Sequence, residues 1–303
     1  MSKREDVLES GGPQRTALSC FGLVVHPTRD VDEPVGGLRR WAQAHGTRLV
    51  QVRVPYDQQR IADQGNPEEC DLLIAIGGDG TALAAIRAGV RAGRPVLAVA
   101  CGSLGVLTSV GDHGLLDALE RFSRGDWVPR RLPGLEIRRE DGSQLFALND
   151  IVIRRGGAGQ LRLNVQVDGG LFARLAGDGC VVSTAVGSSA YALAAGGPLV
   201  EPELDAFLIT PLNIHGGFCP PLVVGATSLI RFEATSSYGG AQLELDGQEG
   251  DTLVGPLTIG LGADMATLVG FSDQKSFLAV LRERGIIIDS PRILAEDARN
   301  ARR

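Results

Sequence analysis

The chain has no surplus of positive charge. Its 30 Lys and Arg are outnumbered by 36 Asp and Glu, a formal net charge of −6, whereas a protein that binds nucleic acid or a membrane surface carries a basic patch. No apolar stretch reaches transmembrane length. The opening residues MSKREDVLESGGPQRTA lack the apolar core of a signal peptide. Cys-x-x-Cys spacing is missing too: Cys20, Cys70, Cys101, Cys180 and Cys219 are scattered and odd in number. This argues against a disulfide framework or a zinc site and reads as reduced thiols, so the expected location is the cytoplasm. There is no internal repeat and no low-complexity tract. What the chain has in excess is glycine, 41 residues among 303, nearly twice the ordinary share, which implies many positions of positive φ or close backbone approach. The length allows two domains, each with a core of its own.

From Leu18 to about Gly125, short apolar runs alternate with helical patterns. CFGLVVHP, TRLVQVRV, CDLLIAIGG and PVLAVAC read as strands. VGGLRRWAQAHG, TALAAIRAGVRAG (starting at about Thr81) and GLLDALERFSRG read as helices. Apolar strands separated by helices predict a parallel, Rossmann-like α/β sheet covered on both faces. After Trp127, β-type runs recur at short intervals between Gly, Asp and Asn, as in LPGLEIRRED, QLFALNDIVIRR, RLNVQVDGGLFARLAGDGCVVST and SLIRFEATSS. These predict a β-rich, mostly antiparallel domain. SAYALAAGGPLV reads as one helix capped by Gly196–Gly197, and QKSFLAVLRERG as a final amphipathic helix. The expected organisation is a polar tail over 1–16, an α/β domain over 17–130 and a β-rich domain over 131–270. A last strand or helix over 271–290 returns to the first domain, and 291–303 is a tail.

The chemistry centres on IAIGGDGTALAA. A strand runs into Gly77-Gly78-Asp79-Gly80-Thr81 and a helix follows. Backbone N–H groups at a helix N-terminus, uncovered by side chains, form a phosphate seat, and ligands of open parallel sheets bind at the carboxyl ends of the strands. The turn is neither a Walker A sequence nor a G-x-G-x-x-G fingerprint. A carboxylate in a phosphate turn repels its ligand unless a metal intervenes or a hydroxyl must be deprotonated, so Asp79 points to a kinase with an acid at the acceptor hydroxyl. The lesser reading of Asp79 is a helix cap in a tight turn.

ALNDIVI (147–153), GDGCVVSTAVGSSAYALAAGGP (177–198) and DGQ (246–248) follow GGDGT in order. Together they resemble the ATP-dependent NAD kinases over roughly residues 70–285. The resemblance implies a fold of the phosphofructokinase and NAD kinase type, an α/β N-terminal domain plus a β-rich C-terminal domain with the site between them, usually in homodimers or homotetramers. It implies that Asp79 deprotonates a ribose 2′-hydroxyl while Gly77, Gly78, Gly80 and Thr81 lie near the phosphates of ATP. It places Asn149, Asp150 (where the family usually has Glu), Asp178, Ser189, Ala190 and Tyr191 at the acceptor. Cys101, Val106, Ala194, His215, Asp246 and Gln248 are further candidates. Mg²⁺ would accompany ATP, with no metal ligand assigned to the protein.

The chain departs from the pattern on the acceptor side. CGSLGVL has Cys101 and Val106 where Asn and Phe are usual, STAVGSS has Ala185 and Val186 in place of Pro and Thr, and Ala194 replaces a common Ser. A lost stacking face is worth about 0.5–1.5 kcal/mol and a lost hydrogen bond about 1 kcal/mol. The acceptor that the resemblance implies is NAD, giving NADP, and these departures motivate a different one. The alternatives are the same 2′-phosphorylation of a nucleoside or nucleotide, or a nucleotide-binding regulatory paralogue without turnover.

Overall fold

The computed structural model describes residues 18–236 and 239–300; the expected tail over 1–16 lies outside them. In chain order, the elements of the first half are β1 (Cys20–Val25), α1 (Asp32–His45), β2 (Arg48–Gln51), β3 (Leu72–Gly77), α2 (Asp79–Ala92), β4 (Val96–Ala100), β5 (Val110–Gly111) and α3 (Leu115–Ser123). β6 (Val128–Arg139), β7 (Gln144–Ala147), β8 (Asp150–Arg155), β9 (Leu161–Val167), β10 (Gly170–Gly177), β11 (Gly179–Thr184) and α4 (Tyr191–Ala194) follow. The remainder is β12 (Ala206–Leu212), β13 (Leu222–Gly225), β14 (Ile230–Ser236), β15 (Ala241–Leu245), β16 (Gln248–Leu253), β17 (Leu257–Gly270), α5 (Phe277–Glu283) and α6 (Pro291–Asn300). Two compact units result: the described residues up to Arg130 together with those from Leu268 onward, and Arg131–Thr267.

In the first unit the strands pair in parallel in the order β2-β1-β3-β4, and Leu268 at the end of β17 continues the parallel pairing on Val96. β1, β3 and β4 are buried along their whole length, which is why they read as unbroken apolar runs. The chain steps from β1 outward to β2, then returns to the other side of β1 to lay down β3 and β4. Right-handed crossovers in opposite directions put α1 and α2 on opposite faces; α1 and α3 share one apolar cluster with β1, β3 and β4 through Val35, Leu38, Trp41, Leu115, Leu119 and Phe122. The reversal of strand order lies between β1 and β3, and a crevice at such a point is where open α/β sheets bind ligands.

The second unit is β-rich and antiparallel. One sheet runs β13-β12-β11-β8-β15-β16; the other contains β10-β9-β14-β17, with β6 on β17 and β7 on β6. Side chains alternate between faces along each strand. Ile151, Ile153, Cys180, Val182, Phe207 and Ile209 fill the layer between the sheets with Leu163, Val165, Ile230 and Phe232. The intervening Val152, Val181 and Leu208 face outward and are covered by Ala185, Ala192 and Val200.

Three elements differ from the reading of the sequence. α2 begins at Asp79, two residues before Thr81, because Gly78 in extended conformation (φ −120°) serves as its N-cap; an acid in the first turn suits the helix dipole. The expected helix over SAYALAAGGPLV is only α4, preceded by a 3₁₀ turn over Val186–Ser189 and broken from it at Ala190 (φ −99°, ψ −125°). Residues 291–300, expected as tail, form α6, with Pro291 at its first position and Arg292 paired with Glu296 one turn on (3.5 Å). Nothing in α6 is buried, so its helicity rests on local interactions; residues 301–303 lie outside the described chain.

Candidate functional site

In the first unit the site is built around Asp79, the opening residue of α2. Its carboxylate accepts the backbone N–H of Leu107 (3.0 Å) and of Val106 (3.2 Å), and Arg284 Nη1 donates to it at 2.7 Å. The Gly105–Leu107 loop comes so close that a Cβ on Gly105 would lie 1.9 Å from Asp79 Oδ1. Gly77 is equally constrained, since its Cβ would meet Thr81 Oγ1 at 2.3 Å. Gly80 faces open space, which leaves the backbone of the helix start uncovered. Gly77, Gly78, Asp79, Gly80 and Thr81 thus form one bare turn with one fixed carboxylate, at the carboxyl end of β3.

The loop after β1 flanks this turn. His26 Nδ1 accepts the N–H groups of Thr28 (3.2 Å) and Arg29 (3.0 Å), and Gln59 Nε2 donates to the carbonyls of His26 (2.8 Å) and Arg29 (2.7 Å). Accepting two N–H groups, Nδ1 carries no proton; burial, with the Arg29 charge added, also pushes the His26 imidazole below its ordinary value. The Arg29 guanidinium donates to the Cys101 carbonyl and lies about 3.7 Å from where a Gly78 side chain would begin. Cys101 and Val106, expected as acceptor walls, are buried; their contribution here is a carbonyl to Arg29 and an N–H to Asp79. A separate cleft of about 920 Å³ runs along the β2–β3 connection, lined by Arg53, Tyr56, Gln58, Arg60 and their neighbours. None of the expected residues lines it.

In the second unit the expected residues gather at the start of β8. Asp246 sits in the left-handed region (φ 54°) at the β15–β16 turn. Its carboxylate accepts from Leu148 N (2.9 Å), Asn149 N (2.7 Å) and Asp150 N (3.3 Å). The corner is closed from the other side by Thr184, whose hydroxyl donates to Leu148 O (2.8 Å) and accepts from Gly187 N (3.0 Å). The DGQ turn therefore acts as a buttress for Asn149–Asp150. Asp150 is 5% exposed. Burial, reinforced by the charges of Asp246 and Glu244, pushes its carboxyl up to about 7 against the pull of the Tyr191 backbone N–H. A carboxyl poised there donates or accepts at neutral pH.

Asp178 forms a second, exposed cluster. It accepts from Arg155 Nε (2.7 Å) and Asn213 Nδ2 (2.9 Å), and these bonds hold its carboxyl below the usual range. His215 is nearby and takes the side-chain amide of Gln160 on Nδ1 at 2.6 Å. Tyr191 is 45% exposed and Ala194 is exposed, while Ala185 and Val186 are buried, Ala185 within the apolar cluster over β8, β11 and β12. The Ser189 hydroxyl is turned to Val186 O (3.1 Å); Ala190 is partly buried at the head of α4, and Gln248 opens β16. Reading the sequence missed Arg284, Arg155 and Asn213. The first lies in a stretch that reads only as an amphipathic helix, and the others partner Asp178 through strand pairing that no local pattern reveals. Among the described residues, no group of three or more His, Cys, Asp or Glu is placed to hold a metal. Mg²⁺, which takes one or two carboxylates plus substrate phosphates, fits here as an ion carried in with the donor.

The bare turn with its fixed carboxylate has the chemistry that a nucleotide-dependent phosphotransferase requires. The chain belongs to the ATP-NAD kinase family: the N-terminal domain of that family matches residues 22–127 and the C-terminal domain residues 148–253. It is 34% identical to an NAD kinase of Heliobacterium modesticaldum over 280 residues, 88% of this chain and 98% of the relative. It is 33% identical to an NAD kinase of Solibacter usitatus over 287 residues, 90% and 95% of the two chains. Among solved structures, the fold is similar to that of yeast NADH kinase complexed with NADH (TM-score 0.74, 24% identity, 90% and 89% covered). It is also similar to an NAD kinase from Archaeoglobus fulgidus in complex with ATP (TM-score 0.69, 24% identity, 87% and 98% covered). The protein is an ATP-dependent kinase.

Proposed function

We propose that this kinase transfers the terminal phosphate of ATP–Mg²⁺ to the ribose 2′-hydroxyl of NAD, giving NADP. The observation that carries the reading is Asp79: a carboxylate on the first turn of α2, fixed by two backbone N–H groups beside Gly80, which faces open space. Asp79 takes the hydroxyl proton as the new O–P bond forms and ADP departs with the electron pair of the broken bond. The amides of Gly77, Gly78, Gly80 and Thr81 receive the donor phosphates. Asn149 and Asp150 bind acceptor hydroxyls and Asp246 positions them. Asp178, Ser189, Ala190 and Tyr191 border the dinucleotide, as does the neighbourhood of His215 and Gln248. The names of the relatives support this acceptor; the NADH in one similar structure supports a nicotinamide dinucleotide and the ATP in the other supports the donor. Assembly into homodimers or homotetramers belongs to the same reading.

The test is NADP formation from ATP–Mg²⁺ and NAD, with NADH, nucleosides and nucleoside 5′-phosphates as parallel acceptors. Asp79→Asn should abolish transfer to every competent acceptor; intact turnover in that variant removes Asp79 as base. One observation favours a second acceptor class: Cys101 and Val106 stand in the loop that grips Asp79, where the family pattern has Asn and Phe. No transfer to NAD with transfer to another ribose establishes that alternative.

A further inference from the structure

We infer that Arg284 is a ligand of the donor's terminal phosphate, resting on Asp79 until the donor arrives; the inference builds on the kinase reading above. Arg284 closes α5, and its guanidinium reaches a carboxylate 205 positions earlier in the chain, with Nη1 2.7 Å from Asp79 Oδ2. The pair is only partly covered, the Arg284 side chain being 34% exposed. The other cations around α5 are engaged elsewhere: Arg282 pairs with Asp289 and Lys275 with Glu283, each at 2.5 Å. Of these three cations, Arg284 is the one turned to the phosphate turn, which Arg29 flanks from the loop after β1 while donating to the Cys101 carbonyl.

Asp79 already has the Val106 and Leu107 N–H groups to hold it, so the guanidinium is not needed for orientation. A guanidinium carries five N–H donors in a planar fork. Only Nη1 is engaged with Asp79, and the rest of the fork matches a phosphate edge. A triphosphate seated on the amides at the start of α2 brings more negative charge to that point than one carboxylate. Arg284 then bridges Asp79 and a terminal phosphate oxygen or passes to the phosphate altogether. Either outcome loosens its hold on the carboxylate that must accept the hydroxyl proton, and places a cation where charge develops as the O–P bond to ADP breaks.

The experiment is calorimetric binding of ATP–Mg²⁺, without acceptor, to the full chain and to Arg284→Ala, Arg284→Lys and Arg282→Ala, each checked by thermal melting. Arg284→Ala should bind at least tenfold more weakly, Arg284→Lys should recover part of the loss by keeping charge without the fork, and Arg282→Ala should stay within twofold of the parent. The Arg284→Ala loss should persist in an Asp79→Asn background. Binding by Arg284→Ala within twofold of the parent overturns the inference, as does a loss that vanishes once Asp79 is neutralised. Should Arg284→Ala fail to fold, the comparison of Arg284→Lys and Arg284→Gln with the parent decides in the same way. No acceptor is present, so a failure of the NAD reading shows in the turnover assay and leaves this result standing.

Discussion

At Asp150 a single side chain ties the acceptor corner to pH. Its carboxyl is raised to about 7 chiefly by burial, with Asp246 and Glu244 adding to the shift, against an ordinary value near 3.9 in the unfolded chain. Between those values the folded state holds a proton that the unfolded state has released, so the stability contribution is full below about pH 4 and lost as pH rises through 7. Asp150→Asn removes the titration. Parent minus Asp150→Asn stability, from urea melts at pH 5, 6, 7 and 8, should fall by roughly 1.4 kcal/mol per pH unit up to 7 and then level off. A flat difference across that range disproves the assignment. Gly105 is the second residue-scale case. Alanine there drives a methyl to 1.9 Å from Asp79 Oδ1, so the carboxylate must move. A misplacement of about 1 Å costs about a hundredfold in rate, and Gly105→Ala should lose kcat on this order while its melting temperature shifts by only a few degrees.

The elements divide into those whose rule is local and those whose rule is not. β1, β3, β4 and α1 could be read directly, because a fully buried parallel strand is an apolar run and Gly46 ends its helix in the left-handed conformation (φ 67°). GGDGT was legible as a bare turn for the same reason. The division of QLFALNDIVIRR into β7 and β8 was not, because the break at Leu148–Asn149 is imposed by Asp246, about a hundred positions later. α4 was over-read since Ala-rich sequence has high helix propensity, whereas Thr184 and the packing of Ala185 and Ala192 shape this stretch. Asp246→Ala tests the buttress: it strands the N–H groups of Leu148 and Asn149, at about 1–3 kcal/mol for each group left buried. Chemical denaturation should show that loss, and the KM for the acceptor should rise with the KM for ATP unchanged. An unchanged acceptor KM would mean the corner holds its shape without Asp246.

On the scale of the whole molecule, the first unit is assembled from two distant stretches, and this decides what the C-terminal residues are for. Phe271 belongs to the apolar cluster of β1, β3, α1 and α3 and lies under the Arg121 guanidinium (4.3 Å to the ring centre). Val280 and Leu281 of α5 are buried as well, whereas α6 buries nothing. The sequence marks 274–285 as an amphipathic helix in a segment returning to the first domain, but gives no sign that this helix ends on Asp79. Two truncations separate these roles. A chain ending at Ser290 loses α6 and its exposed Arg292–Glu296 pair, interactions of well under about 1 kcal/mol each, and should melt within a few degrees of the full protein with turnover preserved. A chain ending at Gly270 exposes the surfaces under Phe271, Val280 and Leu281, at roughly 1.5–3 kcal/mol for each large side chain. That sum rivals the 5–15 kcal/mol that typically holds a domain together, so the shorter chain should lose its cooperative melting transition. Equal melting of the two truncations would mean that α5 is an appendage, and that Asp79 and its turn fold without the segment carrying Arg284.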